Sequence, residues 1–111
     1  MERRIPESDW KLFRKLRLLA LDRFCQRVLA EVGRLADDTG KSSHERYLAV
    51  FKLLQRRDEE LAEAFNGPRR STTLVQLARI RFQELLTDEE FAGFSPETRA
   101  SVEVFLEISR D

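Results

Sequence analysis

One histidine, one cysteine and two short acidic runs are the raw material for catalysis in this chain. His44 stands in "HERY", without the second histidine four residues on that lets one helix face hold zinc between two imidazoles. Cys25 falls on an apolar helix stripe, and with no histidine base beside it, it reads as a packed core thiol rather than a nucleophile. The acidic runs, Asp37–Asp38 and Asp58–Glu60 with Glu63, sit mainly on polar faces, where carboxylates are solvated. Arg57 and Asp58 differ, because they interrupt an apolar stripe between Leu54 and Leu61. An unpaired inward charge costs several kcal/mol, so an internal ion pair is expected there. No cofactor, no metal and no catalytic residue follow from these patterns.

The stretch "AFNGPRRSTT", residues 64–73, has one glycine and no lysine, which excludes a Walker-type phosphate loop. With its flanks it has the outline of a helix-turn-helix: Ala62 in one helix, Gly67 at the turn, then a second helix carrying Arg79 and Arg81. In such a motif Ser71, Thr72 and Thr73 would meet base edges, and Arg69 and Arg70 would meet phosphates. The steps depart from the usual motif, since Asn66 holds the glycine step from Ala62 and Thr72 brings a hydroxyl to the buried one. A simpler account makes the stretch a hinge: Gly67 ends one helix, Pro68 blocks its continuation, and Ser71 caps the next. Nucleic-acid binding through residues 69–81 is therefore the alternative function.

These residues must be positioned by a chain of 111, enough for one domain with one core. Twenty basic residues balance twenty acidic ones, so net charge provides no attraction to nucleic acid or anionic membrane. A single cysteine excludes an internal disulfide. The longest early apolar run, Leu18–Leu21, is bounded by charges, so neither a signal peptide nor a membrane span is expected, and the location is expected to be cytoplasmic. Charge is unevenly shared: residues 1–34 hold nine basic and five acidic groups, and residues 87–111 hold two and seven. Neighbouring helices of opposite sign would attract each other.

The apolar periodicity is helical throughout, which predicts an all-α fold over residues 1–111: a bundle of four main helices plus one short helix, with a long N-terminal helix. Ser8 is expected to cap the first, which runs to "DDTGKSS". Ser42 and Glu45 form a capping box for the second, whose apolar stripe is Tyr47, Val50, Phe51, Leu54, Leu61 and Phe65. The third is expected to continue from Ser71 through Leu86. Thr87 and Glu90 open the short helix, and Ser95 followed by Pro96 starts the last, with Val102, Phe105, Leu106 and Ile108 on its apolar side.

The first helix presents an apolar excess. Phe24, Cys25, Val28, Val32 and Leu35 make one stripe, which Trp10 and Leu21 continue, while Leu12, Leu16 and Leu19 make a second about 160° away. At about 42 Å it also exceeds the roughly 34 Å diameter of a compact domain of this length, so an end should overhang. This predicts a non-catalytic interaction module that self-associates through its first helix, as a homodimer, with a second protein partner as a further possibility. Trp10, Leu12, Phe13, Leu16 and Leu19 are the expected anchors, and Arg14 and Arg17 the rim.

Overall fold

The computed structural model describes residues 5–110. They form α1 (Glu7–Ala36), α2 (Ser43–Phe65), α3 (Thr73–Phe82), α4 (Asp88–Phe91) and α5 (Pro96–Arg110), with one 3-10 turn at Arg70–Thr72 before α3. No strand occurs among the described residues, and the fold is all-α with a long first helix, as the periodicity requires. Both capping boxes form: the Ser42 hydroxyl accepts from the Glu45 amide and the Thr87 hydroxyl from the Glu90 amide, each at 3.1 Å. Ser8 does not cap α1, which starts two residues earlier, at Glu7 behind Pro6, with no side-chain cap. Nor does Ser71 cap α3; the chain makes the 3-10 turn instead, and the Thr72 hydroxyl folds back on Arg69.

α1 and α2 form an antiparallel hairpin, with Arg57 of α2 beside Glu31 of α1 and Phe65 beside Phe24. α3, α4 and α5 pack against its base. The core runs through Phe13, Leu16, Ala20, Phe24 and Val28 of α1, Ala64 and Phe65 of α2, Leu77 and Ile80 of α3, and Leu85, Leu86, Phe91, Phe94, Val102 and Leu106 beyond. α1 rises about 45 Å, and the molecule measures 54 × 25 × 24 Å. The long helix does overhang, but at its C-terminal end. The C-terminal half of α1 and the N-terminal half of α2 project as a two-helix arm in which Leu53 is buried, while the leucine-rich N-terminal half packs onto the body through Phe13, Leu16 and Ala20.

α4 makes that difference. Its four residues and the turn after it bury Phe91 and Phe94 in the same core cluster as Phe13 and Leu16, and Leu12 lies against Gly93, where a Cβ would stand 3.0 Å from its Cδ2. Arg23 of α1 fastens this segment with a two-pronged ion pair to Glu90 at 2.7 and 3.0 Å. The Arg23 guanidinium, with the Thr87 amide, holds the Glu90 carboxyl down at about 2. Opposite charges on the basic first helix and the acidic fourth thus meet as expected.

A second tie joins the two ends of the chain. Asp9, 2% exposed, accepts hydrogen bonds from the Ser95 amide at 3.0 Å and from the Ser95 and Thr98 hydroxyls at 2.6 Å each. It thereby supplies a carboxylate to the N-terminus of α5, where the helix dipole favours negative charge. Burial opposes ionisation of Asp9, but the hydrogen bonds from Ser95 and Thr98 outweigh it and leave the carboxyl below its ordinary value.

The arginine-rich composition, sixteen against four lysines, has a structural use. Arg17 donates to the Phe65 carbonyl at the end of α2, Arg46 to Ala36 at the end of α1, and Arg27 to Gln83 and Glu84 just past α3. Arg81 and Arg99 hold the Leu86 and Phe94 carbonyls. The last carbonyls of a helix lack intrahelical donors, and a guanidinium offers several in one plane where an ammonium offers a single point charge.

α3 stops at Phe82, four residues short of the expected end, because Leu85 and Leu86 must turn back into the core, at 1% and 6% exposure. Glu84 takes the left-handed conformation, φ 57°, and the Leu85 amide reaches the Ile80 carbonyl at 3.1 Å, a Schellman-type ending. Glycine adopts this geometry without a Cβ clash. Glu84→Gly should therefore raise the free energy of unfolding by about 0.5–1 kcal/mol, a gain that urea denaturation would register as a higher midpoint at unchanged slope.

Candidate interaction surface

Of the seven expected first-helix contacts, the structure turns most inward. Phe13 and Leu16 are core residues, 1% and 8% exposed. Trp10 and Leu12 are half-buried against that core, and Phe13 stacks on Trp10 with centroids 6.1 Å apart. Arg17 is occupied by the Phe65 carbonyl. Arg14 is exposed and lies over the Trp10 ring at 5.4 Å, and Leu19 remains 39% exposed. The shelter comes in part from α4 and the turn after it, where Leu12 meets Gly93.

Residues 69–81 are also largely engaged. Arg70 pairs with Glu7 at 3.0 Å and donates to the Ile5 carbonyl at 2.7 Å. The buried threonine is Thr73, at 0% exposure and bonded to the Arg69 carbonyl, rather than Thr72, which is exposed. Arg79 pairs with Glu63 at 2.8 Å. α3 buries Gln76, Leu77, Ala78 and Ile80, so its exposed stripe is Val75, Arg79 and Phe82, mostly apolar where a base-reading helix needs donors and acceptors. Arg69 and Ser71 are exposed at the turn. Cys25 is half-buried against the core, as a packed thiol should be. His44 is exposed, and no group of metal-ligating side chains forms among the described residues.

The open apolar surface lies elsewhere. On the arm, Leu29 is 69% exposed, Tyr47 65%, Phe51 50% and Leu54 45%. The apolar stripe expected on α2 divides: Val50, Leu61 and Phe65 are half-buried or buried, whereas Tyr47, Phe51 and Leu54 stand open. The face of α2 along the arm that meets α1 includes Arg46, Ala49, Leu53, Arg57, Glu60 and Ala64, which are buried or half-buried at spacings of three and four. Arg57 makes the expected internal ion pair, but with Glu31 of α1 at 3.0 Å and Glu60 at 2.9 Å; Asp58 is exposed. The hydrogen bond from Arg57 holds the Glu31 carboxyl below its ordinary value.

A groove of about 760 Å³ lies between the arm's base and α3 and α5, with Phe24, Val28, Val75, Phe82 and Phe105 as its apolar lining and Glu31, Arg57, Glu63 and Arg79 among its polar residues. Val104 and Ile108 of α5 are exposed nearby, so the expected apolar side of α5 is divided: Val102 and Leu106 enter the core, and Phe105 and Ile108 do not. Since Glu31, Glu60 and Glu63 mark the groove side of the hairpin, the 100° step of a helix places Leu18 and Leu29 of α1, with Tyr47, Phe51 and Leu54 of α2, on the opposite flank. That flank is the candidate surface. It arises because each hairpin helix has apolar residues on more faces than its neighbours cover.

No described helix is long and apolar enough to cross a membrane. No family model matches the sequence, and neither a curated protein nor a solved structure matches it significantly.

Proposed function

We propose that this protein is a non-catalytic helical interaction module that associates with itself through the apolar flank of its first two helices. One observation carries the proposal: Leu29, Tyr47, Phe51 and Leu54, all on the projecting arm, are 45–69% exposed. Contiguous open apolar residues on a folded protein mark an interaction surface, and aromatic side chains are enriched where proteins meet. The first helix still takes part, through Leu29, although its N-terminal anchors serve the core. A homodimer is the simplest assembly that covers such a face, because a two-fold brings one patch against its own copy.

Light scattering over a concentration series tests this. The unaltered protein should rise from 13.1 kDa toward twice that mass as it is concentrated. Phe51→Lys should stay monomeric, and in dilute solution where the wild type is also monomeric its thermal midpoint should match wild type within about 2 °C, since an exposed substitution away from the core shifts stability by only about 0.5 kcal/mol. A wild-type mass that never leaves the monomer value disproves self-association. The nucleic-acid alternative rests on exposed Arg69 and Ser71; titration with duplex DNA at low salt, where phosphate contacts are strongest, removes it if no binding occurs.

A further inference from the structure

We infer that the partner on this flank is a second copy lying antiparallel, so that two arms make a four-helix bundle and the two bodies sit at its far ends; this rests on the self-association proposed above. The first argument is where the open apolar surface lies. Arg57 stands beside Glu31, which puts Leu54 near the level of residue 34 and Tyr47 beyond the end of α1. Leu29, Leu54, Phe51 and Tyr47 therefore form a strip along the arm. Toward the body the same flank of α1 carries Gln26 and Asp22, hydrogen-bonded to each other at 2.9 Å, before Leu18 is reached. The dense part of the face belongs to the arm.

The second argument is charge. Lys11, Arg14 and Lys15 are exposed and continue this flank of α1 toward the body. A parallel two-fold would set these cations against their own copies, and would set Asp22 and Asp58 against theirs. Like charges facing across an interface oppose association. An antiparallel two-fold through the arm superimposes the apolar strips and carries the three cations past the partner's tip into solvent.

Area agrees with an interface confined to the arm. Taking roughly 200 Å² for an open aromatic side chain and roughly 100 Å² for leucine, the exposures of these four leave about 350 Å² of apolar side chain open per copy. Two copies give about 700 Å², and because an interface is about 60% apolar this corresponds to about 1,200 Å² in all, the lower end for a specific complex. The association should be reversible and concentration-dependent.

Spin-label distances decide the orientation. In a Cys25→Ser background, single cysteines are placed at exposed Lys15 and, separately, at exposed Gln26, labelled, and measured by pulsed dipolar spectroscopy at concentrations where scattering shows dimer. At 1.5 Å per residue on each copy and with the two-fold near the level of residue 35, the middle of the strip, antiparallel pairing separates the position-15 labels by about 60 Å along the bundle and the position-26 labels by about 27 Å; the difference of about 33 Å holds for any axis on the arm side of residue 26. A dimer with both distances below about 25 Å overturns the antiparallel arrangement while leaving self-association standing. A monomer by mass in the unlabelled wild type overturns both. Circular dichroism matching wild type for each labelled variant establishes that the distances come from the native fold.

Discussion

Phe13→Ala is expected to lower the free energy of unfolding by about 3–5 kcal/mol, the usual cost of deleting a buried phenylalanine. The ring is 1% exposed and stacks on Trp10, so truncation both removes apolar burial and opens a cavity beside the α4 segment. Total stability for a small domain is about 5–15 kcal/mol, and the loss should appear as a fall in Tm of roughly 10–25 °C. Urea denaturation followed by circular dichroism measures it directly. The result also separates two roles for this residue. A core Phe13 gives a large loss that does not depend on protein concentration; a Phe13 acting as an interface anchor would leave the monomer's stability nearly intact and change only the assembled mass.

Asp9→Ala should cost about 2–4 kcal/mol, because it leaves the Ser95 amide and the Ser95 and Thr98 hydroxyls without their acceptor in a site closed to water. The substitution unfastens the start of α1 from the start of α5, so amides in α5 should lose hydrogen-exchange protection before those of the hairpin. The acid dependence is fixed in sign. Asp9 and Glu90 both lie lower in the folded protein than their ordinary values of 3.8 and 4.5, and a carboxyl depressed by folding stabilises fully above its ordinary value. That stabilisation is lost as pH falls through the folded value, which for Glu90 is about 2. Stability should thus be level from pH 7 to about 5 and then decline steadily in acid. Asp9→Asn and Glu90→Gln should each be less stable at neutral pH and show a shallower acid decline than wild type; an acid decline unchanged in both would show that neither carboxylate is tied in the folded state.

These two sites differ in how visible they were beforehand. Phe13 was legible as an apolar residue that must be covered, and what remained open was whether the same chain or a second one covers it. Asp9 was not legible at all. Its partners Ser95 and Thr98 lie 86 and 89 residues away, and nothing in the local pattern around "ESDW" distinguishes a buried carboxylate from an exposed one in a first helical turn. The carbonyl-capping arginines escaped notice for the same reason, since Arg17 and Phe65 are 48 residues apart. Arg57 was half legible: its position on an apolar stripe demanded an ion-pair partner, but Glu31 could be identified only once α2 lay against α1.

What the sequence determined by itself is everything that depends on contacts within a turn or two: the all-α class, the capping boxes at Ser42 and Thr87, the break at Gly67–Pro68, the cap-and-proline start at Ser95–Pro96, and a first helix too long to stay within a sphere. Those features arise from hydrogen bonds and backbone restrictions among residues three or four apart. Tertiary structure alone decided which apolar stripe is covered. Both hairpin helices carry apolar residues on more than one face, so periodicity cannot rank the faces. The ranking came from α4, which shelters the N-terminal stripe of α1, and from the pairing of α2 through Leu53 and Ala64, which leaves Tyr47, Phe51 and Leu54 in solvent.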